Sequence, residues 1–515
     1  MSDASPVTTK PAVAHGLQRG ILTVPNAIAL SAAAMAPVLA VVLNAPAAAA
    51  AAGAALPLSF LIAFIACALV GNTVVQFAKK LPSAGSFYTF NRAGLGPAAG
   101  FFTGWLFWIG YAILAPGLFT AFGAFVHDFV LATFGTEVPW WLFSLAAMAI
   151  VFGLSVRSIK ASVNVDLALL VVEVIIFLIL GIIAVSTAGP GNSGSYFLIT
   201  SAPTGFAGVG LGVVFGILSF IGFDAAATLG EETKNPRRSI PFAITGALGA
   251  VGIFYVLMMY ALAAGYGLND PAKLESFLQD PNPFVTLGQN VTPWLVLPIA
   301  LAAIAGIFSC FLAIHNTTVR VMFAMGRDQV LPASLGRIHQ TWYSPLRAIV
   351  VQTIFTVVIG IGVGLWLGPG ATGAYGFTGT IGTVAIVIVY IMSNIALVKY
   401  FWKLAERKII THVVIPVLGT LALVYPLYAV ANPAQSYPFN LVPLLVLIWI
   451  AAGVLLYFYY KAKSPEKIAA LGSFITEEDL PADEQNAALQ TGRAPSLQRP
   501  TVAEEAARHQ EKSEN

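Results

Sequence analysis

The sequence predicts an all-α polytopic membrane protein with twelve transmembrane helices. The chain is 58% hydrophobic and only 10% charged, whereas an ordinary soluble domain carries about 25% charged residues. Apolar runs of about 20 residues, the length that crosses the hydrocarbon core, recur along the chain. Two of these runs carry helix-breaking residues at corresponding positions, which is typical of an inverted-repeat carrier.

Hydropathy divides the chain into a twelve-helix transporter domain, residues 21–461, flanked by an N-terminal tail (1–20) and a charged C-terminal tail (462–515). We expect helices 1–5 at about 21–187, helices 6–10 at about 207–400, and helices 11 and 12 at about 409–461. The individual spans lie near residues 22–43, 56–78, 98–125, 139–156, 163–187, 207–230, 241–264, 293–316, 346–367, 377–398, 410–430 and 439–460.

The loop charges predict the orientation, because cytoplasmic loops are rich in Lys and Arg. With a cytoplasmic N-terminus, Lys273 is the one loop cation that falls on the outer side. We therefore expect a multi-pass protein of the cell membrane with both termini cytoplasmic. The alternate loops on the inner side contain Lys79, Lys80, Arg92, Arg157, Lys160, Lys234, Arg237, Arg238, Arg320, Arg327, Arg337, Arg347, Lys399, Lys403, Arg407 and Lys408.

The stretch from Gly212 to Ile244, which begins within span 6, reads GVVFGILSFIGFDAAATLGEETKNPRRSIPFAI and carries Ser219, Gly222 and Asp224 at mid-membrane depth. An unpaired backbone group in hydrocarbon costs several kcal/mol, so such a break persists only where it lines a cavity or binds something. The carbonyls and the helix N-terminus that meet at a break suit small polar or zwitterionic ligands. This pattern predicts the substrate site of a transporter.

Span 1 carries a second candidate break, at Ser31, a run of alanines and Pro37. Proline removes a backbone donor and favours the first turn of a helix, so a new half-helix near Pro37 is expected. A merely Pro-kinked helix remains the alternative, since proline is tolerated in membrane helices.

Glu173 lies about ten residues from either end of span 5. An ionisable residue at mid-membrane costs about 2.5–3.5 kcal/mol on insertion scales and is a functional candidate by default. We expect it to couple transport to protons. The alternative is a permanently neutral glutamate that is hydrogen-bonded between helices.

The string SFIGFDAAATLGEETKNPRRSIPFAI, residues 219–244, resembles the sixth helix and following loop of the amino acid-polyamine-organocation (APC) superfamily. RVMFAMGRDQVLP, residues 320–332, resembles a second signature of these permeases. The resemblance implies a leucine-transporter-like 5+5 inverted repeat in which helices 1 and 6 are broken around the site.

The resemblance also implies the site residues. The backbone around Ala33–Ala36 would receive a carboxylate and carbonyls near Ser219–Ile221 an amine, while Phe220 and Phe223 would shape the pocket. Asp224 would handle the proton with Glu173, or would cap its half-helix. The candidate substrate-binding residues are Ser31, Ala33, Ala34, Met35, Ala36, Tyr111, Leu218, Ser219, Phe220, Ile221 and Phe223.

The sequence departs from the family pattern in three ways. Alanines replace a glycine-rich motif in span 1, so we expect a tight break there. Leu218 stands where arginine and polyamine exchangers carry Trp, so cation-π stacking on a cationic substrate is lost. Glu173 stands where some proton-coupled members carry Lys, which puts the inherited lysine mechanism in doubt.

Other chemistry is not indicated. Cys67 and Cys310 both fall inside apolar spans, and the sequence has no phosphate-binding loop or metal-spaced cluster. We expect no enzyme activity, no cofactor, no metal and no nucleic-acid partner.

We therefore expect a secondary carrier that imports an amino acid or related small amine, with a proton as coupling ion and the lipid bilayer as its surroundings. An exchanger or a sodium-coupled symporter is an alternative, and a non-transporting amino acid sensor is a more distant one.

Overall fold

The computed structural model describes residues 20–81, 85–157, 159–230, 232–280, 282–339, 341–402, 404–431 and 437–465. The two predicted tails, 1–20 and 462–515, lie almost entirely outside these ranges. The described part is helical, and its β-type pairing is limited to an isolated parallel bridge between Leu22 and Thr233.

The described residues of the first half form nine α-helices and the break segments between them. They are α1 (Val24–Met35), α2 (Pro37–Leu39), a π-helical segment (Ala40–Asn44), α3 (Ala45–Ala52), α4 (Leu56–Ala78), α5 (Phe87–Leu95), α6 (Pro97–Phe134), α7 (Trp140–Arg157), α8 (Ile159–Thr187), α9 (Phe206–Phe220) and a 3₁₀ segment (Ala225–Leu229).

The second half continues with long helices and two short ones, α11 and α12. They are α10 (Pro236–Tyr266), α11 (Pro271–Gln279), α12 (Pro283–Val291), α13 (Val296–Arg327), α14 (Leu346–Leu367), a helical segment kinked at Gly373 (Ala371–Tyr375), α15 (Gly376–Trp402), a second π-helical segment (Ile410–Val414), α16 (Ile415–Ala431) and α17 (Val442–Lys463).

Eleven helical stretches in the described residues are long and apolar enough to cross a membrane. The first, Val24–Ala78, has 55 residues and is interrupted at Ala36 and Gly53, both of which adopt positive φ. These stretches indicate a multi-pass membrane protein, as the composition predicts.

The helices of both halves interleave in a packed centre. Helix α4 packs against α10, α6 against α13 and α15, and α8 against α13, with α1 and α9 buried among them. The last two helices lie at the periphery, where apolar side chains such as Leu421 (62% exposed) and Leu455 (74% exposed) face outward. This exposed apolar belt is what a lipid-facing surface requires.

Helix α6 continues to Phe134, although the hydropathy pattern predicts an end near residue 125. The polar His127 does not stop it, because its Nδ1 lies 2.7 Å from the Val138 carbonyl oxygen. The helix ends at Gly135, which adopts a left-handed conformation and donates its N–H to the Leu131 carbonyl.

Candidate functional site

The first break separates α1 from α2 at Ala36. This alanine has φ 50° and ψ 69°, and its N–H donates to the Ala33 carbonyl at 2.9 Å. A left-handed L-residue costs about 1–2 kcal/mol, and only glycine avoids that cost. Pro37, which has no N–H, then begins α2. Strain of this kind persists only where the surrounding structure holds it, and it clusters at functional sites.

The second break follows α9. Ile221 leaves the helix with ψ 127°, Gly222 has φ 114°, and the chain resumes as the 3₁₀ segment. A Cβ at Gly222 would lie 2.6 Å from the Ala34 carbonyl carbon. Glycine is therefore required here both for its backbone conformation and for the close approach of the two breaks.

Two side chains fasten the breaks to each other. The Ser31 hydroxyl of α1 donates to the Phe223 carbonyl (2.8 Å) and accepts from the Ala226 N–H (2.9 Å). The Tyr255 hydroxyl of α10 lies at hydrogen-bond distance from the Met35 carbonyl, and it is 2.8 Å from the Ser219 carbonyl oxygen. These contacts satisfy backbone groups that the interrupted helices leave without a helical partner.

A small cavity lies between the two breaks. Its volume of about 30 Å³ leaves room for one or two water molecules. Both broken helices contribute to it, together with α6, α13 and the start of α15. It is lined by Ala34, Met35, Ala36, Leu39, Ala40, Asn44, Leu114, Leu118, Leu218, Ser219, Ile221, Cys310, Ile314, Tyr375 and Gly379.

The predicted substrate residues divide into two groups. Six of them line the cavity, namely Ala34, Met35, Ala36, Leu218, Ser219 and Ile221. The other five lie behind it and support the breaks. Ser31 and Ala33 make the bonds described above. The Phe220 ring stacks on Phe64 (ring centroids 5.9 Å apart), and the Phe223 ring packs against Tyr390 (5.4 Å).

Asp224 is fully buried just beyond the second break. Its Oδ2 accepts from the Tyr111 hydroxyl (3.0 Å) and its Oδ1 from the Tyr390 hydroxyl (2.7 Å). Asp224 occupies the N-cap position of the 3₁₀ segment, yet its side chain caps none of the described backbone N–H groups. The carboxyl therefore joins the second break to α6 and α15.

Glu173 of α8 is 1% exposed, and neither carboxyl oxygen has a hydrogen-bond partner among the described residues. It lies against Gly306 of α13, where a Cβ would be 3.2 Å from both Glu173 Cδ and Val38 Cβ. Asp166 is two helical turns earlier on the same face; its Oδ1 is 3.4 Å from the Ser309 hydroxyl, which donates to it. Two buried carboxyls thus face α13 beside the first break.

Backbone pairing and an ion pair join the segments beyond the two broken helices. The Leu22 N–H donates to the Glu232 carbonyl (3.1 Å), and the Lys234 N–H donates to the Leu22 carbonyl (3.0 Å). The buried Glu232 carboxylate accepts from Arg320 Nε (2.8 Å) and Nη2 (3.2 Å). These bonds connect the segment before α1 to the segment after the second break and to α13.

Several residues that complete this arrangement are absent from the sequence-based prediction. They are Asn44, Asp166, Tyr255, Tyr375 and Tyr390. Three of them, Asp166, Tyr255 and Tyr390, are polar side chains within predicted apolar spans, which is the signal that could have identified them. The other two, Asn44 and Tyr375, lie within two residues of a predicted span.

Comparison with known proteins is consistent with this geometry. Residues 27–469 match the amino acid permease family, which confirms the predicted superfamily. The chain is 27% identical to the methylthioribose transporter of Bacillus subtilis and 26% identical to the branched-chain amino acid permease of the same organism, in each case over 79% of this chain and 86% of the relative. It is 25% identical to the low-affinity putrescine importer of Escherichia coli over 68% of this chain and 75% of the relative. These relatives are transporters and not enzymes.

Proposed function

This chain belongs to the amino acid permease family, and on that premise we propose that it is a proton-coupled secondary transporter that imports an amino acid or related small amine across the cytoplasmic membrane. The observation that carries the proposal is the cavity to which both broken helices contribute, from Ala34–Ala36 on one side and Leu218–Ile221 on the other. A pair of discontinuous helices around a central cavity is the arrangement by which such carriers bind their substrates.

The packing of the helices supports a 5+5 inverted repeat. If Val24–Ala78 crosses twice, the chain has twelve spans, and each of the first five has a counterpart five spans later. Under that correspondence the contact of α8 with α13 matches that of α15 with α6, and the contact of α1 with α10 matches that of α9 with α4. Paired contacts of this kind are what a two-fold repeat requires.

Substrate entry requires the two breaks to move apart. The cavity of about 30 Å³ is smaller than any amino acid, and the Leu22, Glu232 and Arg320 contacts close one side. In a carrier with alternating access, one repeat rocks against the other around a central site. The N-terminus of α2 would then face the substrate carboxylate, and carbonyls near Ser219–Ile221 would face the amine.

Glu173 is the proposed coupling group, and Asp166 lies two helical turns earlier on the same face of α8. A carboxyl without a hydrogen-bond partner in a dry environment is costly to charge, so its proton binding responds to any change that admits water or a cation. A Cβ at Gly306 would be 3.2 Å from both Glu173 Cδ and the Cβ of Val38, the second residue after the first break, and α2 packs against α8. Movement of α2 would therefore change the surroundings of this carboxyl and link proton uptake to opening.

The charge pattern supports a cytoplasmic position for both termini. In this orientation the bonds of Leu22, Glu232 and Arg320 lie on the cytoplasmic side, and α11 and α12 lie outside. The protein as described here would therefore be closed towards the cytoplasm.

Reconstituted liposomes provide the test. Uptake of labelled amino acids, amines and methylthioribose is measured with and without an inward proton gradient. We expect accumulation of at least one amino acid or amine that collapses when the gradient is removed. Uptake that ignores the gradient but is stimulated by internal substrate would indicate exchange, and binding without any counterflow would indicate a sensor.

Glu173→Gln tests the coupling residue separately. The variant should lose accumulation driven by the proton gradient and keep counterflow of trapped substrate, because glutamine cannot carry the proton. Glu137→Gln, at an exposed loop position, is the matched control and should behave as wild type. If Glu173→Gln keeps both the rate and the pH dependence of wild type, Glu173 is not the coupling group.

A further inference from the structure

Two polar side chains reach the cavity from irregular helical segments. The π-helical segment Ala40–Asn44 ends at Asn44, and the kinked segment Ala371–Tyr375, which has non-helical backbone angles at Gly373, ends at Tyr375. A π-turn inserts one extra residue into a helix and re-aims the side chains around it, frequently at functional sites. Both segments contribute residues to the cavity lining, whereas the π-helical segment Ile410–Val414 contributes none.

These side chains form a polar row with Ser219. Asn44 Nδ2 donates to the Ser219 hydroxyl oxygen (2.9 Å), and the Tyr375 hydroxyl donates to Asn44 Oδ1 (3.4 Å). The Ser219 hydroxyl in turn donates to the Phe215 carbonyl (2.8 Å). All three lining side chains are buried. The row connects the second half of span 1, the end of α9 and the start of α15 across the cavity.

Counting partners among the described residues, the row has unused hydrogen-bonding capacity. An asparagine side chain offers two N–H donors and two acceptor positions, and a tyrosine hydroxyl accepts as well as donates. Asn44 uses one donor and one acceptor position, and Tyr375 uses its donor. A ligand in the cavity can therefore both donate to and accept from the row without breaking it.

The remaining surroundings are apolar and uncharged. The described lining side chains include Leu39, Leu114, Leu118, Leu218 and Ile314, and none of them is ionisable to a charged form at neutral pH. The nearby acids are directed elsewhere, as the contacts of Asp224 with two tyrosines and of Glu173 with Gly306 show. A cationic side group in this cavity would lose its hydration without gaining a counter-charge.

We propose that Asn44, Ser219 and Tyr375 form a specificity subsite that selects substrates whose side group is uncharged and carries a hydroxyl or an amide. This inference rests on the proposed function, because it concerns the part of the substrate beyond its carboxylate and amine. The apolar residues accommodate the carbon skeleton, and the polar row recognises its hydrogen-bonding group. A cationic group and a purely apolar group of the same shape are both disfavoured.

Isosteric amino acid pairs test the subsite. Threonine and valine differ by a hydroxyl in place of a methyl group, and asparagine and leucine differ by an amide in place of a branched alkyl end. Labelled uptake of these four and of lysine is measured in liposomes, and kcat/KM is compared within each pair. We expect threonine and asparagine to exceed their partners by about tenfold, the ratio that a net hydrogen bond of ordinary strength provides, and lysine to be the poorest.

Variants of the row should remove this discrimination. Tyr375→Phe and Ser219→Ala each delete one oxygen, and Asn44→Leu removes both functions of the amide. Each is expected to bring the threonine/valine and asparagine/leucine ratios towards one. Tyr425→Phe and Asn72→Leu are matched controls, because Tyr425 contacts the Ala207 carbonyl and Asn72 the Thr411 carbonyl, both away from the cavity. Both controls should keep the wild-type ratios.

The outcomes separate the two proposals. If valine and leucine are imported as well as their polar partners, or if uptake is confined to cations, the subsite inference is overturned while transport stands. If the row variants lower kcat/KM by the same factor for all substrates, the row only stabilises the closed state of the protein, and the inference is again overturned. If wild-type protein imports no amino acid or amine at all, the proposed function itself fails.

Discussion

Asp224 and Glu173 are both buried carboxyls, but their hydrogen-bonding environments differ. Asp224 accepts hydrogen bonds from Tyr111 and Tyr390, which belong to two other helices. Glu173 is equally buried, yet neither of its oxygens meets a hydrogen-bond donor in the described part of the chain. Hydrogen bonds hold the Asp224 carboxyl in place, whereas among the described residues the Glu173 carboxyl is positioned by packing alone.

The difference shows that burial alone does not assign a role. A satisfied carboxyl contributes to a fixed junction, because moving it breaks two bonds at once. An unsatisfied carboxyl is a site where a small change in surroundings alters protonation at little structural cost. We therefore assign Asp224 to the closed junction at the second break and propose Glu173 for coupling.

Substitution by leucine should separate the two acids most strongly. Asp224→Leu leaves two tyrosine hydroxyls buried without their acceptor, at about 1–3 kcal/mol each. Glu173→Leu instead removes a polar group whose burial without a hydrogen bond costs about 1–3 kcal/mol, so this variant should be as stable as wild type or more stable. Thermal unfolding of the purified protein in detergent measures both. Equal destabilisation by the two substitutions would contradict the contrast.

Deletion of one tyrosine hydroxyl should lower the stability against unfolding by less than the Asp224→Leu substitution does. Tyr390→Phe removes the 2.7 Å bond to Asp224 and is expected to cost about 1.5–3 kcal/mol, as for a bond to a charged acceptor. Tyr425→Phe is the control, since its 3.4 Å bond to a carbonyl is long and neutral. Unfolding of the two variants under identical conditions gives the comparison, and similar stabilities would argue against the Asp224 junction.

An added methyl group should displace Glu173 without changing its chemistry. In Gly306→Ala the new Cβ would meet the Glu173 carboxyl, so we expect a loss of about 1–3 kcal/mol in stability from overpacking, together with weaker proton-driven accumulation. The control is Gly362→Ala, where a Cβ meets no atom within 4 Å. Uptake with and without the proton gradient checks the prediction, and equal behaviour of the two variants would contradict it.

The exposed acid Glu406 is a reference for the buried carboxyls, and we expect loss of its partner to have the smallest effect on stability. Glu406 lies 2.6 Å from Lys80, and this hydrogen bond and the lysine charge lower the pKa of the Glu406 carboxyl. The contribution of the Glu406–Lys80 contact to stability is therefore present at pH above the ordinary carboxyl pKa. It is lost as the pH falls through the lowered pKa of Glu406. In Lys80→Ala the pKa of Glu406, followed by NMR titration, should rise towards the ordinary range, with little change in thermal unfolding.

The sequence predicts the breaks well because their causes are local. Pro37 cannot continue a helix as an ordinary residue does, and Gly222 is the residue that a positive φ favours. Both lie at breaks in the structure. Ala36 is the exception, since its left-handed conformation is imposed by the fold and has no counterpart in alanine propensity. The match to the family, in contrast, was predictable from the span 6 string alone.

The partners of the buried polar groups could not be predicted from one sequence. Tyr255 meets Met35 across 220 residues of chain, and Tyr390 meets Asp224 across 166. Whether Glu173 has a partner depends in the same way on which helix faces it. Local patterns identify polar residues in apolar runs, but only the packing decides which of them are satisfied. Asn44 and Tyr375 were missed for this reason.

The hydroxyl of Tyr255 carries a single proton, yet it stands between the free ends of two interrupted helices. It can bond fully to the Met35 carbonyl or to the Ser219 carbonyl, but not to both at once. When the two ends move apart, the proton therefore remains with one of them, and the Tyr255 hydroxyl loses at most one bond. The two helix ends can therefore separate without leaving the Tyr255 hydroxyl unbonded. Either broken helix could move while the other stays hydrogen-bonded to α10.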